Sequence, residues 1–147
     1  PLSWLLGPMS KFAKILALIL LAAGHTYAFF YASLYPGIST LVVVGTATKS
    51  YFLSVFAAAI ISAAIATLPF SLFAGFIAGR SLLSFTIIIF VLGKISFNYY
   101  FSGFSAIVRS LTHLPFPAEL LFISVFCFLF YKCGARWALT TQSRGPA

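Results

Sequence analysis

Acidic residues are almost absent from this sequence. The 147-residue chain has one, Glu119, against nine Lys and Arg, for a formal net charge of +8. Only 7% of its residues are charged and 62% are hydrophobic. A soluble domain carries about a quarter of its residues as Asp, Glu, Lys or Arg. The composition therefore excludes a soluble domain and makes lipid the main solvent. With no second carboxylate, Glu119 has no partner for acid/base work. With no aspartate, neither His25 nor His113 has the acid that a Ser-His-Asp arrangement needs. Two separated histidines without clustered Cys or carboxylates leave no protein-only metal site. A haem between His25, near mid-span, and His113, outside the spans, is a poor fit. Gly-rich phosphate loops are missing as well. The expectation is a non-enzymatic chain without metal or cofactor.

Cysteine is scarce too. Cys127 and Cys133 lie six residues apart on the last apolar segment, about 9 Å along a helix, too far for a disulfide without breaking it. They read as small packing residues. The basic residues sit at segment ends rather than in one patch. They read as topology determinants, and nucleic acid is not expected as a partner.

What the chain does have is long apolar runs. Four of them suit helices that cross a hydrocarbon core of about 30 Å. The first runs over 12–35 and is expected to end at Pro36-Gly37. Residues 38–50 are apolar but too short to cross, and are read as interfacial or as the start of the next helix. The second span covers 51–78, with a kink near Pro69 or an end there and an interfacial stretch beyond. Gly79-Arg80-Ser81 is a polar turn. The third span covers 81–101 and the fourth 117–137, with Pro117 in its first turn. Between them, Phe104, Ile107, Val108, Leu111 and Leu114 recur at helical spacing, opposite Ser105, Arg109, Ser110, Thr112 and His113. That pattern predicts a short amphipathic helix on the membrane surface. The expected fold is therefore all-α, one transmembrane domain of four helices plus an interfacial helix. Residues 1–8 and 143–147 differ in character, and Met9-Ser10-Lys11 resembles a natural start. Both flanks are read as additions.

Orientation follows from charge. A cytoplasmic N-terminus places Lys11, Lys14, Arg80, Lys132, Arg136 and Arg144 inside and only Lys49 and Arg109 outside. Both termini are then cytoplasmic. The bacterial inner membrane is the expected location.

Two constellations stand out. Small residues recur along the second span as Ser54, Ala58, Ser62 and Ala66, continued in a shifted register by Gly75 and Gly79. Such a seam lets helix backbones approach closely, within the bundle or against another protein. The second constellation is polar. Lys94 and Asn98 share a face of the third span, and Glu119 falls at comparable depth on the antiparallel fourth. A Lys94–Glu119 pair is available, with snorkelling of Lys94 as the alternative. His25, deeper, is a possible third partner, though such a histidine is more often a hydrogen-bonded core residue.

Three functions fit. The first is a small accessory or structural subunit that packs against a larger membrane protein or itself. The second is a small oligomeric carrier or flippase-like protein for an anionic or lipid-linked substrate, held by Lys94, Asn98 and His25. The third is a membrane immunity or exclusion protein. Membrane lipid is a partner in each.

Overall fold

A computed structural model describes residues 9–112 and 115–143, with side chains described outside 101–115 and 142. The chain is all helical there: α1 (Lys11–Ala32), a π turn (Ser33–Gly37), α2 (Ile38–Thr48), α3 (Tyr51–Ala78), α4 (Leu83–Thr112) and α5 (Pro115–Ser143). Four stretches are long and apolar enough to cross a membrane: Lys11–Thr48, Tyr51–Ala78, Leu83–Tyr100 and Phe116–Thr141. They mark an integral membrane protein, since helices that are apolar all round have no use for a solvated face. The flanks 1–8 and 144–147 lie outside the described residues.

Local chemistry sets the helix ends. The Ser10 hydroxyl accepts from the Ala13 amide at 3.2 Å and caps α1. Ser50 does the same for α3 through the Leu53 amide, at 3.3 Å. Lys49, at φ 53°, makes the tight turn between α2 and α3. Gly79, at φ 66°, ends α3 in a conformation that a side chain would disfavour. Within the spans, Ser and Thr hydroxyls donate to carbonyls one turn back, as Thr40 does to Pro36 at 2.7 Å and Ser71 to Thr67 at 2.5 Å. This satisfies them where water is missing.

Two expectations change. Pro36-Gly37 does not end the first helix. The missing proline N–H is absorbed by a π turn, and one helix of 38 residues runs from Lys11 to Thr48. Residues 38–48 thus extend the first helix rather than the second, and pack back against α3. The second span has the expected bounds, Tyr51–Ala78, and of the two readings at Pro69 the end there falls.

The amphipathic segment is helical to Thr112 as a continuation of α4, while the side chains of 101–115 and all of His113 lie outside what is described.

The hub is α3, which packs most extensively on α5 and then on α1 and α2. Glycine allows the closest approach. A Cβ on Gly75 would sit 2.1 Å from the Tyr131 carbonyl oxygen, and one on Gly134 would sit 2.0 Å from that of Leu72. The two glycines let the backbones of α3 and α5 touch reciprocally, which favours dispersion over a long contact. Leu18, Ala74, Ala78 and Tyr131 are buried at this level, and Ala22, Phe29, Ala32, Ala63, Ala66, Phe90, Ile123 and Cys127 form a second buried cluster. Cys133 is exposed and free, so only Cys127 plays the packing role expected of both.

Candidate functional site

Lys94 comes from the middle of α4, where Phe90 one turn earlier is fully buried. That face turns inward and carries the ammonium into the bundle. Glu119 comes from the second turn of α5. The Lys94 Nζ donates to Glu119 Oε2 at 3.1 Å, with side chains 10% and 21% exposed. The same Nζ lies 4.0 Å above the centre of the Phe29 ring. Lys94 therefore does not snorkel; it is held between a carboxylate and an aromatic face.

His25 is fully buried on α1 but does not join the pair. Its Nε2 lies 3.1 Å from Thr67 Oγ1 on α3. Its ring stacks on Phe90 at 4.5 Å and meets Phe29 and Phe70 edge to face. Phe29 thus separates the histidine from the ion pair while touching both. Asn98 is partly buried one turn farther out and has no hydrogen bond to Lys94 or Glu119. Two of the four polar candidates are in contact, and the other two stand apart.

Glu119 also faces outward. It lines a cleft of about 230 Å³ with Ser33, Gly37, Ile38, Tyr51, Ala58 and Ser62 among its walls. Ser33 and Gly37 of the π turn form part of its wall. Among the small residues, Ser54, Ser62, Ala66 and Gly75 are buried, and Ala58 is half-buried in the cleft wall. Ser62 donates to the Ala32 carbonyl at 3.3 Å, so this part of the seam faces α1. Gly79 serves another purpose: a Cβ there meets nothing within 4 Å, and the residue is a turn glycine. Sequence reasoning missed Gly134, because one glycine in a helix gives no spacing to read.

It also missed a tyrosine ladder. Tyr27, Tyr31 and Tyr35 are 63%, 42% and 68% exposed on the outward face of α1 and the π turn. The Tyr27 and Tyr31 hydroxyls are 3.0 Å apart, and the Tyr31 and Tyr35 rings stack at 6.4 Å. Their spacing of four residues was readable in the sequence. Tyr27 lies about 20 Å along the helix from Lys14 and about 15 Å from Gly37. That is mid-span, away from the interfacial belts where tyrosine usually sits.

Among the described residues, no group of three or more His, Cys, Asp or Glu is placed to hold a metal. Comparison with protein families, curated proteins and solved structures finds no match.

Proposed function

We propose that this protein is a small, non-enzymatic accessory or structural subunit that packs through the outward face of α1 against a larger membrane protein. The observation that carries this reading is the tyrosine ladder. The Tyr27 and Tyr31 hydroxyls, both on an apolar membrane-length helix, share one hydrogen bond and leave one donor over. Helical side chains lean toward their own N-terminus. On α1 that is away from the nearer, outer headgroups. In hydrocarbon the spare donor is costly, whereas a carbonyl or hydroxyl on a neighbouring helix satisfies it. The seam is spent on internal packing, which leaves this outward face with a polar group that only a neighbour in the membrane can meet.

In this reading both termini face the cytoplasm, the membrane is a bacterial inner membrane, and the outer part of α4 lies along the opposite surface with its apolar stripe in the headgroups. The test is extraction in mild detergent and mass spectrometry of the intact assembly. A stoichiometric foreign membrane protein is expected, and Tyr27→Leu with Tyr31→Leu should release it while the chain stays folded. Recovery of the chain alone, in detergent and in membrane-derived nanodiscs, would refute the reading.

A second reading, the oligomeric carrier or flippase, is favoured by the cleft beside Glu119. It is the weaker one, because Lys94 is already paired with Glu119 and no Lys or Arg is among the described residues that line the cleft.

A further inference from the structure

The opposite end of the bundle holds a second cleft, of about 310 Å³, lined by Arg80, Leu83, Tyr131, Lys132, Ala135 and Arg136. Three cations meet there from two elements. Arg80 stands on the turn between α3 and α4, while Lys132 and Arg136 are one turn apart on α5. Like charges at that spacing repel. The chain offers no counter-charge: Glu119, its single acid, is about 20 Å up the helix from Lys132 and already paired. Lys132 rests on the Phe128 ring, at 4.1 Å.

Tyr131 lines the cleft with 1% of its surface exposed, its hydroxyl buried beside Thr86 and the Leu82 carbonyl. The walls beside it, Leu83 and Ala135, are apolar. Converging cations and apolar walls at the membrane end describe the surroundings of a lipid phosphate.

We propose that this cleft binds an anionic phospholipid. Arg80, Lys132 and Arg136 hold its phosphate, and the glycerol and upper acyl chains lie along Leu83 and Ala135. Three cations match a lipid with two phosphates or a phosphomonoester better than one with a single diester.

The test is native mass spectrometry of the delipidated chain, titrated separately with cardiolipin, phosphatidic acid, phosphatidylcholine and inorganic phosphate. Retained adducts are expected with the first two and not with phosphatidylcholine. Inorganic phosphate at millimolar concentration should neither displace them nor raise the melting temperature. Lys132→Gln with Arg136→Gln should weaken the adducts at least about tenfold, near 1 kcal/mol per cation. Lys11→Gln with Lys14→Gln, at the same end but outside the cleft, should weaken them less than threefold. Equal losses from the two charge pairs would overturn the proposal by making binding diffuse. Stabilisation by inorganic phosphate alone would overturn it in favour of a free-anion site.

Discussion

Lys94 reaches Glu119 across the α4–α5 interface at 3.1 Å with the Phe29 ring beneath its ammonium. Each charge is kept in the bundle by the other. Lys94→Met leaves a partly buried carboxylate unpaired, and Glu119→Gln leaves a buried ammonium. Each single change should cost about 3 kcal/mol, the lower part of the range for breaking a buried pair, because Glu119 keeps some exposure. The double variant should recover at least about 1 kcal/mol of the summed loss. Unfolding in mixed detergent micelles measures all three. Two small, additive losses would show that the charges are independent.

Gly75 and Gly134 set the separation of α3 and α5. A methyl group on either runs into the backbone of the other helix, which cannot rotate away as a side chain can. Gly75→Ala and Gly134→Ala should each destabilise by about 2–3 kcal/mol through overpacking. Their effects should be strongly non-additive, since the first forces the helices apart and makes room for the second. Gly79→Ala, by contrast, tests the left-handed turn and not the interface.

Along the same helix, volume should be tolerated unevenly. Ser62 is buried against the Ala32 carbonyl, and its oxygen would lie 2.5 Å from a Cβ on Gly37. Ser62→Leu should therefore lower the melting temperature sharply, with a loss above about 3 kcal/mol. Ala58 stands in the wall of the outer cleft, where a larger side chain has space. Ala58→Leu should change stability by less than about 1 kcal/mol.

The sequence made the helical class, the turn at Gly79 and the Lys94–Glu119 contact legible, because lipid and charge leave few alternatives. One acid facing one intramembrane lysine at equal depth is a short list. The path of the first helix was not legible. Proline usually ends a helix, and whether a π turn instead carries the helix on depends on what α3 packs against it. The reciprocal glycines were hidden for a similar reason: Gly134 acquires meaning only when Leu72 lies opposite. The separation of His25 from the ion pair depends on where the Phe29 ring points, which periodicity does not reveal.

Topology is open to direct measurement. If all four candidate stretches cross, Lys11, Lys14, Arg80, Lys132 and Arg136 share one side of the membrane. The excess of Lys and Arg should place it in the cytoplasm. A C-terminal green fluorescent protein fusion should fluoresce, and a C-terminal alkaline phosphatase fusion should be inactive. High phosphatase activity would reverse the orientation and move the basic cleft to the outer surface.

The histidine gives the sharpest ordering. The His25 Nε2 meets Thr67 while Nδ1 has no partner. If Thr67 donated to Nε2, a buried Nδ1–H would be left unpaired, and orphaned N–H groups are rarer than orphaned acceptors. The tautomer expected is therefore Nε2–H donating to the Thr67 oxygen, with Nδ1 bare. Thr67→Val then keeps the shape, removes the acceptor and strands the N–H in an apolar site, at a cost of about 1–3 kcal/mol. His25→Phe should cost less. It removes both nitrogens, keeps an aromatic ring against Phe90, and leaves the Thr67 hydroxyl free to donate to its own helix. Nitrogen NMR of the labelled imidazole should show a protonated Nε2 and a bare Nδ1. A smaller loss for Thr67→Val than for His25→Phe, or the reverse proton placement, would assign the donor to Thr67.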